Sequence, residues 1–112
     1  MQNKLNLNDF EQAIIVGVQT PDMSDDEFRA SFDELERLLE TAGGKVAARL
    51  EQRKESPDPK TYIGSGKVTE LAGLCRKNGV KLVVFDCELS PSQIKNLEDM
   101  LSVGEEVTNP DD

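Results

Sequence analysis

The sequence predicts an α/β domain with a small, mostly parallel sheet and helices on both faces. Strand-like and helix-like segments alternate along the chain, an order typical of parallel strands joined by helices. Residues 13–18 and 81–86 are centred on continuous apolar runs rich in β-branched side chains, as in strands covered on both faces. Right-handed crossovers then favour the strand order 2-1-3, in which these two strands are neighbours. Any ligand crevice would lie at their carboxyl ends, near Gln19, Thr20 and Asp86.

The first strand is followed by a helix whose start and period are both encoded locally. Ser24 and Glu27 form a Ser-x-x-Glu capping box, which supplies partners to the free amides of a helix start. Apolar residues then recur at steps of three or four and form one stripe: Phe28, Phe32, Leu35, Leu39 and Ala42. Gly43 and Gly44 end this helix because glycine readily enters the left-handed region.

The second strand is expected at residues 45–52, where apolar side chains alternate with mostly charged ones, a pattern typical of a half-exposed edge strand. An irregular segment, residues 53–66, follows it. Its two prolines and two glycines exclude a regular element through most of its length. Loops this long tend to be either functional or disordered.

A second helix precedes the third strand. Its inward-facing residues are Val68, Leu71, Ala72 and Cys75. Gly79 marks its end, and the buried strand at residues 81–86 follows directly.

A third helix begins with Ser90 as N-cap, Pro91 at the first helical position and Gln93 at the third. Its apolar stripe consists of Ile94, Leu97 and Leu101. Residues 102–112 are acidic and have no core pattern. We therefore expect one domain over residues 1–101 and a mobile tail over 102–112.

Composition excludes several function classes. Because there is no histidine, the chain has no Ser-His-Asp or Cys-His nucleophile pair and no zinc site that uses imidazole. Cys75 and Cys87 are too few for a disulfide framework, so we interpret them as reduced structural thiols. No segment reaches the roughly 18 apolar residues that span a bilayer, and no secretory signal begins the sequence. These observations predict a cytoplasmic domain without catalytic residues, metal ligands, a cofactor of its own or stable membrane insertion.

Charge is distributed unevenly. The net charge of −9 taken alone argues against nucleic-acid binding, which needs a basic surface. Residues 45–81, however, hold nine basic and four acidic residues, a net charge of +5, whereas the rest holds 4 basic and 18 acidic residues, a net charge of −14. The molecule is therefore polarised, and a basic partner-binding region remains compatible with its overall acidity.

A candidate anion or phosphate loop consists of Gly64, Ser65, Gly66 and Lys67. A Walker A loop would have glycine and serine or threonine where this chain has Thr61 and Val68. Three interpretations stay open: a bound nucleotide, an anion or RNA phosphate held by the amides of a helix start, and a flexible segment leading into the second helix.

Candidates for contact with RNA lie in the same region: Arg53, Lys54, Lys60, Tyr62 and Lys67. Basic side chains around one exposed aromatic ring can contact phosphates and stack on a base. In the alternative interpretation, the loop is solvated and Tyr62 and Ile63 fix it to the core. The residues alone do not separate the two.

Two carboxylates, Asp86 and Glu88, follow the third strand. Paired carboxylates can serve acid–base chemistry or bind a hard cation. Nothing else in the sequence supplies further ligands, so we interpret these residues as forming a turn.

Three stretches resemble the N-terminal domain of HflX-type GTPases. They are Val-Gly-Val-Gln-Thr-Pro at residues 16–21, Ser-Pro-Asp-Pro-Lys-Thr-Tyr-Ile-Gly-Ser-Gly-Lys-Val at residues 56–68, and Phe-Asp-Cys-Glu-Leu-Ser-Pro-Ser-Gln at residues 85–93. The middle stretch is the most specific, because Pro-x-Pro followed by Tyr-Ile-Gly-x-Gly-Lys is not a generic loop. The resemblance extends over residues 12–101.

The resemblance implies a role on the ribosome. Proteins of this family bind the large ribosomal subunit, use GTP and Mg²⁺ in a separate C-terminal GTPase domain, and are linked to the rescue or splitting of stalled ribosomes. The N-terminal domain is expected to engage the ribosome and modulate the GTPase domain. Its matched loop, with Arg53, Lys54, Lys60 and Lys67, would contact ribosomal RNA.

The sequence departs from the family pattern after Leu101, where that pattern continues into another strand, a long helical hairpin and the GTPase domain. Residues 102–107 could form a poor version of that strand, but residues 108–112 do not follow the pattern. No complete Walker A motif is present. We therefore expect an isolated domain or a truncated relative that does not itself hydrolyse GTP.

Overall fold

The computed structural model describes the backbone of residues 12–107 and the side chains as far as Leu101. Six elements alternate along it: β1 (Gln12–Gln19), α1 (Asp25–Thr41), β2 (Lys45–Arg53), α2 (Ser65–Asn78), β3 (Leu82–Phe85) and α3 (Pro91–Val107). The strands are parallel and ordered β2-β1-β3. This confirms the α/β class and the 2-1-3 order that the apolar runs and right-handed crossovers predict.

β1 is the centre of the fold because both of its faces are covered. Ile14, Val16 and Val18 pack with the residues of α2 and α3 in one core cluster. Ile15 points to the opposite face, where it packs with Phe28 and Phe32 of α1. A strand between two helical layers cannot alternate apolar with polar side chains, which is why its sequence is an unbroken apolar run.

α1 follows its local sequence closely. The Glu27 amide donates to the Ser24 hydroxyl at 3.1 Å, and the Ser24 amide donates to the Glu27 carboxylate at 2.9 Å, which completes the predicted capping box. Phe28 and Phe32 lie with ring centroids 4.9 Å apart. The Arg49 guanidinium of β2 lies 5.5 Å from the centroid of the Phe32 ring and so joins the helix to the sheet.

α3 is capped as its sequence predicts but is longer. The Gln93 amide donates to the Ser90 hydroxyl at 3.1 Å, and the Ser90 amide donates to the Gln93 side chain at 2.9 Å. Residues 102–107, which the sequence pattern places in a tail or a poor strand, continue the helix to Val107. No proline interrupts them before Pro110, so the helix can propagate. Residues 108–112 lie outside the described residues, and the mobility of the tail stays a prediction.

β3 is shorter and more open than the expected buried strand at residues 81–86. It has four residues, and Leu82 is 40% exposed. In the described part of the chain, β3 pairs only with β1, while α1 packs mainly on β1 and β2. Val83 and Phe85 pack against the core cluster of α2 and α3 and Val84 packs against that of α1, while the outer edge of β3 has no strand partner among the described residues. Among the described helices, none has the length and hydrophobicity to cross a membrane.

Gly17 provides a test of how closely the sheet and its neighbours pack. A Cβ atom at this position would lie 2.7 Å from Asp86 Oδ2 and 2.9 Å from Phe32 Cζ, both well inside van der Waals contact. We expect Gly17→Ala to lower the free energy of unfolding by about 1–3 kcal/mol through overpacking, measured by urea denaturation. Gly73→Ala is the matched control, because nothing lies within 4 Å of its added Cβ and alanine favours the α2 helix. Equal effects of the two changes would contradict this account of Gly17.

Candidate functional site

The segment between β2 and α2 forms an ordered turn. The Asp58 and Tyr62 amides each donate to the carbonyl oxygen of the other residue, at 2.9 and 2.7 Å. The Asp58 carboxylate accepts further bonds from the amides of Lys60 at 2.7 Å and Thr61 at 3.3 Å. The side chain of Asp58 therefore replaces the regular hydrogen bonding that Pro57 and Pro59 prevent.

Side chains from α3 and β2 hold this turn from both sides. Gln93 Nε2 donates to the carbonyl oxygen of Asp58, and Asn96 Nδ2 donates to that of Lys60, each at 3.0 Å. At the other end, the Gly64 amide donates to Gln52 Oε1 at 2.9 Å. The turn is thus bonded to two regular elements that are distant from it in sequence.

Tyr62 fixes the segment to the core. Its side chain is only 9% exposed, and neighbouring Ile63 is fully buried. The ring meets Phe85 edge-on, with centroids 5.7 Å apart, and the hydroxyl donates to Asp86 Oδ1 at 3.3 Å. This confirms that Tyr62 and Ile63 pin the loop. A ring this buried cannot stack on a base in this conformation, so the exposed aromatic ring that the stacking hypothesis needs is not found at Tyr62, and contact between Tyr62 and RNA stays a prediction.

The backbone of Tyr62 is itself unusual. Its φ of 70° lies in the left-handed region, which for a non-glycine residue costs about 1–3 kcal/mol. Burial of the ring and of Ile63 offsets this strain. The conformation turns the chain so that Tyr62 points into the core while Lys60 stays on the surface.

Asp86 lies at the carboxyl end of β3, beside Gly17 of the central strand. Burial raises the pKa of its carboxyl group, although the hydrogen bond from Tyr62 acts in the opposite direction. Partial burial also raises the pKa of the adjacent Cys87 thiol. Among the described residues, no group of three or more acidic or cysteine side chains is placed to hold a metal ion.

The predicted basic residues divide into those that form an ion pair and those that do not. Arg53 forms an ion pair with Asp25 at 3.1 Å, and Lys67 forms one with Glu70 at 3.1 Å. The hydrogen bond from Gln19, followed by the charge of Arg53, lowers the pKa of Asp25. Within residues 12–101, Lys54 and Lys60 form no ion pair.

Lys54 lies beside the start of α2. Its Nζ is 3.8 Å from the position that a Cβ atom on Gly64 would occupy, and its own amide donates to the carbonyl oxygen of Gln19 at 3.1 Å. The structure thus brings Lys54 together with the candidate anion loop. Lys60 lies on the turn that precedes this loop.

The start of α2 is chemically different from the starts of α1 and α3. No side chain caps it, whereas Ser24 caps α1 and Ser90 caps α3. Its first turn contains no acidic residue, unlike that of α1. Ser65 and Gly66 are exposed, and nothing lies within 4 Å of a Cβ atom on Gly66. The amides of a helix start carry partial positive charge, so an anionic group can approach them here.

A nucleotide-binding loop fits this geometry less well than a single anion. Thr61 and Val68, at the positions where a Walker A motif has glycine and serine or threonine, are both 3% exposed. The Thr61 hydroxyl donates to the carbonyl oxygen of Ile63 at 2.7 Å. The backbone there is folded into the core rather than around a vacant phosphate position.

Sequence reasoning missed the residues that hold the site in place: Gln52, Asp58, Gln93 and Asn96. The sequence pattern places Gln52 and Asn96 in a strand and a helix and Asp58 in a loop, and it predicts for Gln93 a place in the start of α3 but not its bond to Asp58. Only Asp58 carries a local signal, since aspartate commonly accepts bonds from the amides that follow it in a turn.

A family profile and individual relatives both match this chain to the N-terminal region of GTPases. The family profile described as GTP-binding GTPase N-terminal matches residues 29–107. The chain is 44% identical over 101 residues to the GTPase HflX of Flavobacterium psychrophilum, covering 90% of this chain and 24% of that protein. It is 44% identical over 89 residues to the GTPase HflX of Alkalihalophilus pseudofirmus, covering 80% of this chain and 21% of that protein. With the GTPase HflX of Escherichia coli K12 it shares 35% identity over 91 residues, 79% of this chain and 20% of that protein.

The chain therefore spans about a quarter or less of the length of these relatives. The matched region includes the turn, the start of α2 and the Asp86 contact. The arrangement described above thus lies within the part that this chain shares with its relatives.

The raised pKa of Asp86 predicts a specific dependence of stability on pH. The folded chain holds the Asp86 proton more tightly than the unfolded chain, whose ordinary pKa is 3.8. The resulting stabilisation is complete below that pKa and is lost as the pH rises through the higher folded pKa. We expect Asp86→Asn, which retains an acceptor for the Tyr62 hydroxyl, to gain stability relative to the unchanged chain as the pH rises above 3.8, measured by urea denaturation.

Asp22 is the matched control, because the Thr20 hydroxyl lowers its pKa. The ionised form of Asp22 stabilises the folded chain, whereas the ionised form of Asp86 destabilises it. Asp22→Asn should therefore lose stability relative to the unchanged chain as the pH rises. The same trend in both variants would contradict the assignment for Asp86.

Proposed function

The chain belongs to the GTP-binding GTPase N-terminal family, and from that premise we propose that it is the docking and regulatory domain of an HflX-type GTPase. Its partner is the large ribosomal subunit, which it contacts through phosphates of ribosomal RNA. GTP hydrolysis, with its Mg²⁺, is assigned to the part of such a protein that lies beyond the region matched here.

One observation carries the proposal. α2 begins with no side-chain cap and no acidic residue in its first turn, and Lys54 Nζ lies beside Gly64. The partial positive charge of the helix start and the full charge of the lysine therefore lie together at one exposed place. A phosphate of a nucleic-acid backbone is the anion that such amides and lysines commonly bind. The concentration of basic residues in residues 45–81 supports the same partner.

The anchoring of the turn also supports this role. Lys60 is presented by a backbone that is bonded to α3 through Gln93 and Asn96 and to the core through Tyr62. A segment already held in its binding conformation loses little conformational entropy when it docks. Its basic side chains would therefore contribute more to affinity than the same residues on a disordered loop.

The regulatory part of the proposal concerns the acidic surface. The exposed side of α1 carries Asp26, Asp33 and Glu40. Asp26 pairs with Arg29 and Asp33 with Arg49, but acidic residues still outnumber basic ones on this helix, and their net charge would repel RNA. This orients the domain so that the basic segment faces RNA while α1 faces solvent or the GTPase domain of the parent protein. Contact between α1 and that domain would link ribosome docking to GTP hydrolysis.

Cosedimentation of the chain with purified large ribosomal subunits tests the docking role. We expect binding that weakens as salt rises, and a double variant Lys54→Ala, Lys60→Ala that binds more weakly with a flatter salt dependence. Each lost phosphate contact should reduce the slope of log affinity against log salt by about 1.

Lys95→Ala is the control, because Lys95 is an exposed lysine on α3 that pairs with Asp99. It should leave affinity and salt slope unchanged. Arg53→Ala and Lys67→Ala should have smaller effects than the double variant, because both side chains already have carboxylate partners. An unchanged salt slope in the double variant would contradict the assignment of the basic segment.

A further inference from the structure

Half of the basic residues within residues 12–101 form an ion pair with a carboxylate, and half do not. The basic residues that pair with no other described residue are Lys45, Lys54, Lys60, Arg76, Lys77 and Lys81. Lys54 and Lys60 belong to the docking site proposed above. The other four form a second group, which we name the amino-edge cluster.

Two members of the amino-edge cluster lie at the starts of strands. Lys45 begins β2 and is level with Gln12 of β1. Lys81 directly precedes Leu82, which is level with Ala13, so Lys81 is also level with Gln12. Because neighbouring strands lie about 4.8 Å apart, the backbones of the two lysines are separated by about 10 Å across the amino edge of the sheet.

α2 brings Arg76 and Lys77 to the same edge. The helix ends at Asn78, and only two residues separate that end from Lys81. Both side chains are exposed. The negative end of the helix dipole accounts for basic residues in the last turn of α2, but not for those at the starts of two strands. The four positive charges therefore form one region of the surface, built from three elements.

The exposed side of α2 connects the amino-edge cluster with the proposed docking site. The helix has 14 residues, so its ends lie about 20 Å apart. Between the ends, no described atom lies within 4 Å of a Cβ atom added to Gly66 or Gly73, and the helix surface is flat there. Glu70, the single acidic residue of α2, is paired with Lys67 at 3.1 Å. One extended anionic partner could therefore contact both ends of the helix.

The distance between the two positive regions indicates the chemistry of that partner. A small anion would reach only one of them, whereas an RNA backbone carries its charges in a continuous row and releases a counterion wherever a basic side chain neutralises a phosphate. The charge of this surface, rather than its exposure, thus favours RNA.

We propose that the RNA-binding surface continues along α2, so that one RNA backbone contacts Lys54 at the start of the helix and the amino-edge cluster at its end. This second contact region rests on the docking role proposed above and extends it to residues on the opposite edge of the sheet.

Cosedimentation with purified large ribosomal subunits over a salt series tests the second contact region. The double variant Arg76→Ala, Lys77→Ala should bind about tenfold more weakly at about 50 mM salt, and the slope of log affinity against log salt should fall by about 2. The double variant Arg37→Ala, Lys95→Ala is the matched control. It removes the same net charge from two exposed residues that have carboxylate partners on α1 and α3, and it should leave the slope unchanged.

Glu70→Gln tests the same surface in the opposite direction. It removes the negative charge midway along α2 and releases Lys67, so binding should strengthen about three- to tenfold and the salt slope should steepen by about 1. Glu34→Gln is the control, because Glu34 forms an equivalent i,i+3 ion pair with Arg37 on α1. A gain in affinity cannot arise from damage to the fold.

The outcomes separate the second contact region from the docking role. Binding that Lys54→Ala, Lys60→Ala weakens but Arg76→Ala, Lys77→Ala does not would retain the docking role and exclude the second region. An equal loss in the matched control, or no gain in Glu70→Gln, would also exclude it. Competition by polyglutamate but not by an RNA oligonucleotide would assign the surface to an acidic protein. A chain that does not bind the subunits at all would overturn both proposals.

Discussion

The contact between the Tyr62 hydroxyl and the Asp86 carboxylate is the interaction on which the arrangement of the site depends. Asp86 is itself fixed by its amide, which donates to the carbonyl oxygen of Val16 at 3.0 Å, and by its position against Gly17. The contact therefore joins the central strand, the end of β3 and the segment before α2. Burial disfavours the charged form of Asp86. The residue nevertheless lies at the carboxyl edge of a parallel sheet, where functional residues are commonly found.

The position of the basic residues follows from this contact. Tyr62 enters the core in a left-handed conformation, which places Lys60 on the surface and sets the direction in which Gly64 begins α2. The uncapped helix start and Lys54 then lie together, while Asp25 pairs with Arg53 and Glu70 pairs with Lys67. The same fold that buries Tyr62 thus concentrates positive charge at an exposed place.

Much of the fold could be predicted because its signals are local. The period of α1, the capping boxes at Ser24 and Ser90 and the apolar run of β1 each depend on residues a few positions apart. The contacts that build the site do not: Gln93 reaches Asp58 across 35 positions and Asn96 reaches Lys60 across 36. Periodicity carries no information about such pairs, so the sequence left open whether Tyr62 was exposed or buried. β3 illustrates the same limit, because an apolar run does not reveal whether both sides of a strand have neighbours.

In the proposed docking mode, a turn already held by the core presents Lys60 to ribosomal RNA, beside Lys54 and the start of α2. A cryo-electron microscopy map of the chain bound to the large ribosomal subunit tests it most directly. We expect residues 58–63 to keep the conformation of the free chain, with the α2 start and both lysines within reach of RNA phosphates. A map in which this segment faces solvent while another surface of the domain contacts the ribosome, or in which the turn is rebuilt on binding, would contradict it.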